Sequence, residues 1–293
     1  MKNSITSTLF IFCQYLIPQR LLSTAAGWLA ECRWPWVKDT FIQWFIKRYE
    51  VDMSIALDPD PSSYQHFNDF FTRSLASGER PIAADTNTII CPADGCISQL
   101  GKTQHGRIFQ AKGQEYSLLE LLGGDPKHAQ AFQNGRFATV YLSPKDYHRV
   151  HMPLAGTLET MIHVPGELFS VNETTADNVP RLFARNERVV CLFDTAAGPM
   201  AVILVGAMIV ASIETSWAGL VTPLKRQIRQ WDYTNKEGEK EGIKLEKGEE
   251  MGRFKLGSTA IVLFGDDCAE WQANLEAQSP VKMGEAFGEI TRQ

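Results

Sequence analysis

Short segments rich in Val, Ile, Thr and Phe recur along the chain, and Gly, Pro or Asp turns separate them. This pattern is typical of β-strands. The predicted strands are residues 88–91, 137–142, 156–164, 188–193, 200–205, 207–213 and 259–264. Residues 200–211 form one apolar stretch, and we expect Gly206 to bend it into two buried strands rather than leave a membrane helix.

Helical signals are fewer in the body of the chain. Asp60 followed by Pro61 has the N-cap and first-turn residues of a helix, and aromatic residues then recur at helical spacing up to residue 71. Ser117 and Glu120 form a capping box that the glycines at 123–124 close. Charged, glycine-containing residues 235–252 predict a largely exposed loop. The fold class is therefore α+β, a mostly antiparallel β-sheet body with an N-terminal amphipathic helical region.

The N-terminal apolar run, residues 9–17, is shorter than the roughly 20 residues that a membrane span needs. A signal peptide is the alternative, with Lys2 as its basic start and the small residues 23–26 as its cleavage site. Arg20 would then lie between the apolar core and the cut, which disfavours that alternative.

Tryptophan is concentrated just downstream, at positions 28, 34, 36 and 44. Phe41, Trp44, Phe45 and the stem of Arg48 share one helical face. Such a face with basic margins suits a helix in the membrane interface, and it equally suits a helix packed on the protein's own core. Six basic against three acidic side chains give residues 1–50 a charge of +3, leaving −8 for the rest of a chain whose net charge is −5. This asymmetry favours attraction to anionic lipid.

Composition narrows the class of protein. With 293 residues, 44% hydrophobic and 22% charged, we expect one main domain with an appendage, divided as residues 1–58 and 59–293. The net negative charge indicates no nucleic-acid partner. The six cysteines are widely spaced and predict neither a zinc site nor a disulfide framework, which favours a reducing compartment.

Three motifs contain candidate chemistry, and each is ambiguous alone. Gly257-Ser258 precedes the strand at 259–264, where a glycine is most often a bend. Asp94-Gly95 follows the strand at 88–91 and could be a plain turn. His148 and His151 lie three residues apart in an irregular loop. They could be ordinary polar surface residues, or a pair of metal ligands, but no further Cys/His cluster supplies the remaining ligands.

Together, the motifs resemble those of the phosphatidylserine decarboxylase family, of the bacterial, pyruvoyl-dependent, prokaryotic type I. The resemblance rests on LGST at 256–259, PADG at 92–95, YHRVHMP at 147–153, FNDFFTR at 67–73 with Arg80-Pro81, and GELFSVN at 166–172. It covers about residues 60–264 with no departure at the motif positions. The N-terminal region fits the family's membrane-associated helices.

The resemblance implies autocatalytic cleavage between Gly257 and Ser258, giving a β chain of residues 1–257 and an α chain of residues 258–293. Ser258 becomes a pyruvoyl group, an electron sink that replaces pyridoxal phosphate, and no metal is expected. By the same resemblance, His151 acts as the base for cleavage, Asp94 orients it and His148 serves decarboxylation. The two histidines could exchange roles.

The substrate implied is phosphatidylserine, converted to phosphatidylethanolamine and CO₂. Substrate-binding candidates are Arg73 and Arg185 for the phosphate and Phe169 for an acyl chain, although the aromatic residues are more often core. A lipid substrate also favours the membrane alternative for the tryptophan-rich helices. The expected partners are an anionic membrane surface and the protein's own two chains as a heterodimer, with a higher oligomer left open.

The expected location is peripheral, on the cytoplasmic face of the inner cell membrane, because the N-terminus is short and lacks an Arg/Ser-rich transit peptide. Three alternatives remain. A serine hydrolase using the same Ser/His/Asp set lacks a G-x-S-x-G motif. A non-catalytic membrane-binding module needs only the aromatic N-terminus. A pyruvoyl enzyme for a soluble amino acid leaves the interfacial helices unexplained.

Overall fold

Helices form the N-terminal region and short connections, and strands form most of the remainder. A computed structural model describes residues 2–208, 212–222, 227–234, 242–255 and 258–291. The helices are α1 (Lys2–Leu16), α2 (Gln19–Ala30), α3 (Pro35–Tyr49), α4 (Phe67–Phe71), α5 (Leu118–Leu121), α6 (Pro126–Gln130), α7 (Glu173–Asn178) and α8 (Leu182–Arg185). The strands are β1 (Thr88–Ile90), β2 (Gly95–Lys102), β3 (Arg107–Ala111), β4 (Gln114–Ser117), β5 (Arg136–Leu142), β6 (Arg149–His151), β7 (Gly156–Val164), β8 (Arg188–Thr195), β9 (Gly198–Val205), β10 (Ile213–Thr215), β11 (Gly219–Leu220), β12 (Arg229–Asp232), β13 (Ile243–Leu245), β14 (Glu250–Phe254), β15 (Ser258–Phe264), β16 (Ala269–Trp271), β17 (Pro280–Val281) and β18 (Ala286–Ile290).

The largest sheet is antiparallel, with strand order β12-β7-β8-β9-β15-β5-β2-β17 and β13 also paired to β7. Strand β15 lies in its interior, between β9 and β5, and all of its residues are buried. Alternate side chains of a strand point to opposite faces. Accordingly, Ala260 and Val262 enter one core, while Ile261 and Leu263 enter another.

Each face of the large sheet is covered by a different layer. One face packs against two smaller antiparallel sheets, of order β11-β10-β14-β6 and β1-β18-β16. The other packs against helices, with Leu121 of α5, Ala176 of α7 and Phe183 of α8 in the shared core. The α+β prediction with a mostly antiparallel body and an N-terminal helical region is confirmed.

Most predicted strands lie where the pattern placed them, and three local predictions outside the predicted catalytic motifs are wrong. No helix begins at Asp60, because its carboxylate accepts hydrogen bonds from the backbone and hydroxyl of Ser62 and closes a turn instead. The helix begins at Phe67, where His66 Nδ1 accepts from Asp69 N at 3.0 Å. The predicted helix start at Ser117 is confirmed, since its side chain accepts from Glu120 N, while the carboxylate of Glu120 pairs with Arg181.

The other two errors concern segments that are only partly described. In the predicted strand 207–213, residues 207 and 208 are not in a strand, residues 209–211 lie outside the described residues, and β10 begins at Ile213. In the predicted loop 235–252, residues 235–241 lie outside the described residues. The remainder includes β13 and the start of β14, because Leu245 and Met251 are buried in the core between the sheets.

The predicted lipid-facing side of α3 is divided between two environments. Phe41 and Phe45 pack against Phe67 of α4, with ring centroids 4.4 and 4.9 Å away. Trp44 is 53% exposed. Part of the predicted lipid-facing side of α3 is therefore buried against the aromatic residues of α4. The resulting core contains residues from both sides of the predicted domain boundary at residue 58.

Candidate active site

Strand pairing fixes both ends of the link between β5 and β6. Ser258 pairs with Leu142, the last residue of β5, and Arg253 of β14 pairs with Arg149 of β6. The link from 142 to 149 therefore begins beside Ser258 and ends beside the last residues of β14. Phe254 N donates to His148 O at 3.1 Å within this region. Strand pairing thus brings the histidine motif alongside the predicted cleavage motif.

Ser258 has a buried hydroxyl without a described partner. The residue is 0% exposed, and its Oγ has no hydrogen-bond partner among the described residues. A buried hydroxyl without a hydrogen-bond partner lowers the stability of the fold, and a functional role is one explanation for such a group. Gly257, the other half of the predicted cleavage site, lies outside the described residues.

His148 is fully buried under the ring of Phe71, with centroids 3.9 Å apart. Its Nδ1 lies 2.8 Å from Asp146 O, and since a carbonyl only accepts, Nδ1 must donate. Burial lowers the pKa of His148 to about 3, so the imidazole is neutral. Its Nε2 therefore holds a lone pair, and no described residue bonds to it.

His151 is the last residue of β6, so the prediction of an irregular loop is wrong from Arg149 onward, because these residues pair with β14. The imidazole of His151 is neutral for the same reason as that of His148. Burial lowers its pKa, although its bond to a backbone carbonyl opposes the shift. Its Nδ1 donates to Gly248 O at 2.8 Å, which leaves Nε2 to accept from Tyr147 OH at 3.1 Å. Burial raises the pKa of Tyr147 to about 12, so this hydroxyl keeps its proton and donates it.

Asp94 is held by a buried ion pair. Arg80 Nε donates to its Oδ1 at 2.8 Å, Arg80 Nη2 bonds Oδ2, and Met283 N donates to Oδ1 at 2.9 Å. Gly95 then begins β2, where an added Cβ would lie 2.2 Å from Tyr141 O, so this glycine permits close strand approach rather than a plain turn. The described hydrogen bonds do not join Asp94 to His151, and its orienting role stays a prediction.

Two clefts of about 380 and 600 Å³ adjoin these residues and share Gly95, Lys145, Asp146 and Pro280. The smaller is lined by Asp94, Tyr147 and Arg73. Arg73 is 3% exposed, its Nε has no described partner, and Nη2 reaches only Lys145 O at 3.3 Å.

The other substrate-binding candidates lie elsewhere. The guanidinium of Arg185 pairs with Glu167 at 2.8 Å and lies over the rings of Tyr15 and Phe169. Phe169 is buried and lines a third cavity, of about 770 Å³, between the N-terminal helices and residues 165–169. The structure thus places Arg73 beside Asp94, and Arg185 with Phe169 beside α1.

The sequence did not predict the residues that contact and orient His148, Asp94 and His151. Phe71 and Arg80 lie in motifs that were identified, yet nothing in the pattern assigned them to His148 and Asp94. Tyr147 precedes His148 directly, and its bond to His151 depends on the turn into β6. Within the described residues no cluster of three or more His, Cys, Asp or Glu side chains could hold a metal ion.

Comparison with known proteins identifies the family of this chain. The sequence model of the family described as phosphatidylserine decarboxylase matches residues 67–289, and a second, described as PSD, matches residues 9–50. The chain is similar to proteins named phosphatidylserine decarboxylase proenzyme. That of Pseudomonas entomophila is 65% identical over 279 residues, covering 95% of this chain and 96% of the relative.

Two further relatives carry the same name. The Pseudomonas putida protein is 64% identical over 283 residues, covering 97% of this chain and 98% of the relative. The Pseudomonas aeruginosa protein is 63% identical over 284 residues, with the same two coverages of 97% and 98%. The family model alone covers well over half of the chain. This chain belongs to the phosphatidylserine decarboxylase family.

Proposed function

We propose that this protein is a carboxy-lyase that converts phosphatidylserine to phosphatidylethanolamine and CO₂ at a membrane surface, after cutting itself between Gly257 and Ser258. The observation that carries the proposal is the buried, unpartnered hydroxyl of Ser258 at the start of β15. The word proenzyme in the relatives' names supports a processing step.

In the first step, Ser258 Oγ attacks the carbonyl carbon of Gly257, and the peptide amide becomes an ester. Loss of the α-proton of residue 258 then breaks the Cβ–O bond and releases a chain that ends in the carboxylate of Gly257. The dehydroalanine left at position 258 takes up water and loses ammonia, which produces the pyruvoyl group. Pairing of β15 with β5 and β9 would hold the two chains, 1–257 and 258–293, together after the cut.

His151 is the proposed base that takes the hydroxyl proton. Burial lowers the pKa of His151 and keeps its imidazole neutral, while the bond to Gly248 O, the charge of Glu250 and, least of the three, the charge of Asp94 oppose this shift. Asp94 contributes through this charge, since its hydrogen bonds go to Arg80 and Met283. The free Nε2 of His148 favours the reversed assignment, so the two histidines need separate tests.

His148 is proposed to serve the second reaction. The residues around Ser258 fit a pyruvoyl group, because the hydroxyl from which it forms is buried and engaged by no described neighbour. That group supplies the electron sink that loss of CO₂ requires. His148 then delivers the proton that replaces CO₂ on the serine Cα. Because burial lowers its pKa to about 3 and leaves a lone pair on Nε2, His148 takes this proton from water that enters with the substrate and passes it on directly.

Arg73 is the proposed ligand for an anionic group of the lipid headgroup. A buried guanidinium without a carboxylate partner is costly, and an oxyanion entering the 380 Å³ cleft would satisfy it. Arg185 is a weaker candidate because the carboxylate of Glu167 already occupies it. Phe169 remains a candidate acyl-chain contact at the third cavity.

The N-terminal helices are the proposed docking surface for an anionic bilayer. No described helix is long and apolar enough to cross a membrane. Large apolar side chains are nevertheless exposed there: Leu9, Phe10, Phe12, Tyr15, Leu16, Ile17, Leu21, Leu22, Trp28, Leu29, Trp34, Trp36 and Trp44. Such a surface with basic residues nearby suits the membrane interface and peripheral attachment at the cytoplasmic face of the inner membrane.

The direct test uses vesicles of phosphatidylserine labelled at the serine carboxyl. The purified protein should release labelled CO₂ and leave phosphatidylethanolamine, and it should release far less from free serine. Equal release from free serine would favour an enzyme for a soluble amino acid. Fatty-acid release would indicate a hydrolase, and absence of both products would leave only a membrane-binding module.

A further inference from the structure

Three successive backbone amides of the Phe169 loop, residues 165–172, are each bonded to a side-chain carboxamide. Leu168 N donates to Gln19 Oε1 at 2.8 Å, and Ser170 N donates to Gln14 Oε1 at 2.9 Å. Phe169 N, between them, donates to Asn186 Oδ1 at 3.2 Å. Two of the three acceptors therefore belong to the N-terminal helices, and one belongs to the body of the protein.

Gln14 is buried in a stretch of α1, residues 9–16, whose other side chains are mostly apolar and exposed. It is 2% exposed, whereas its neighbour Tyr15 is 51% exposed. A buried carboxamide is costly unless its donor and its acceptor are both used. Both are used here, since Gln14 Nε2 also donates to Thr175 Oγ1 at 3.3 Å. Gln19 Nε2 donates to Gln14 O at 2.9 Å, which ties α1 to α2.

The inner side of the same loop is bonded to chain beside the reacting serine. Phe169 O accepts from Asn186 Nδ2 at 2.8 Å, and this Nδ2 also donates to Gly206 O at 2.9 Å. Gly206 follows Val205, which pairs with Thr259. Asn186 thus joins the loop to Gly206, and the preceding residue, Val205, pairs with the strand that begins at Ser258.

The loop also borders the larger cleft. Val171 lines the 600 Å³ cleft together with Tyr141 and Asp146. At Gly166 the loop approaches the body so closely that an added Cβ would lie 2.2 Å from Arg185 O. Movement of the N-terminal helices would therefore pull on a segment whose other end is fixed against the cleft.

We propose that Gln14 and Gln19 are positioning residues that transmit the seating of α1 and α2 on a bilayer to the Phe169 loop, and so set the shape of the 600 Å³ cleft, which shares Gly95, Lys145 and Asp146 with the cleft beside Asp94. This inference rests on the proposed function, because it assumes a lipid substrate reached from a membrane. The glutamines touch no reacting atom, and they act through the loop's backbone amides.

The test compares Gln14→Leu and Gln19→Leu, which remove the acceptors at similar size, with Gln19→Glu, which keeps an acceptor. Gln43→Leu, at an exposed glutamine of α3, is the matched control. We expect about tenfold lower kcat on phosphatidylserine vesicles for each Leu variant, the order expected for loss of a hydrogen bond. Near-normal kcat is expected for Gln43→Leu, and a smaller loss than in Gln19→Leu is expected for Gln19→Glu, which keeps the acceptor for Leu168 N but removes the donor to Gln14 O. Cutting at residue 258 and sedimentation with vesicles should stay unchanged in all four.

Hydrogen exchange measured with and without vesicles supplies the readout that a merely structural role would not move, because vesicles should slow the amides of Leu168 and Ser170 in the wild-type protein and not in the double Leu variant. In the double Leu variant, the amides of Leu168 and Ser170 should exchange at least tenfold faster, and those of β15 should not. Wild-type kcat in the Leu variants, or loss of vesicle binding or of global protection along with kcat, would overturn the inference. If the wild-type protein itself releases no CO₂, the proposed function has failed instead.

Discussion

Ser258 and Leu142 lie opposite each other at the ends of the paired strands β15 and β5. The short link 143–147 joins Leu142 to His148. The residues that follow His148 form β6, which pairs with β14. A slip of one residue in the pairing of β15 with β5 would turn Ser258 to the other face of the sheet. The register of two buried strands therefore decides which side chains can reach the serine.

The two histidines should differ in what their removal abolishes. We expect His151→Ala to remain largely uncut, because a positioned base contributes about 10²–10⁴-fold to a proton transfer. His148→Ala should cut yet turn over phosphatidylserine poorly. Gel analysis of chain sizes and an assay of CO₂ release measure the two effects.

His105→Ala, at an exposed histidine, is the control and should both cut and turn over normally. If His148→Ala blocks cutting while His151→Ala does not, the assignment is reversed. That outcome would agree with the free Nε2 of His148.

Breaking the Asp94–Arg80 pair should lower stability and impair cutting together. Arg80→Met leaves a buried carboxylate without its cation, which costs about 3 kcal/mol in the free energy of unfolding. Arg107→Met, in the exposed pair with Glu115, should cost about 1 kcal/mol or less. Denaturant unfolding checks both values, and equal costs would contradict the buried pairing described.

Stability should fall on mild acidification because His148 is buried in its neutral form. Burial lowers its pKa to about 3, so below the ordinary value of 6.5 the unfolded chain binds a proton that the folded chain does not. The difference in proton binding therefore does not affect the free energy of unfolding above pH 6.5, and it lowers that free energy progressively as pH falls toward 3. Unfolding free energies measured from pH 7 to 5 should fall less steeply in His148→Gln. Parallel slopes in the two proteins would argue against a neutral buried imidazole.

Exposed tryptophans should determine membrane binding. Trp28 and Trp36 are 78% and 73% exposed. Changing both to Ser should weaken sedimentation with anionic vesicles about tenfold or more, because a large apolar side chain contributes about 1.5–3 kcal/mol on burial. Phe109→Ser, at an exposed aromatic residue outside the helices, should have no effect. Cutting should be normal in both proteins, and unchanged vesicle binding in the tryptophan variant would exclude this docking surface.

The sequence pattern predicted the interior of the fold better than its edges. Strands β7 and β15 were predicted correctly because each contains a run of successive apolar residues that are buried. The false helix start at Asp60 shows why local signals fail there, since a side chain that caps a helix also closes a turn. Side-chain partners such as Phe71 for His148 depend on tertiary packing, which no spacing encodes.

Denaturing mass spectrometry of the purified protein tests the central claim most directly. The account predicts two chains separated after Gly257, the smaller beginning with a blocked, ketone-reactive residue 258, and a single uncut, inactive chain for Ser258→Ala. An active protein that consists of one unbroken polypeptide with a serine hydroxyl at position 258 would contradict it.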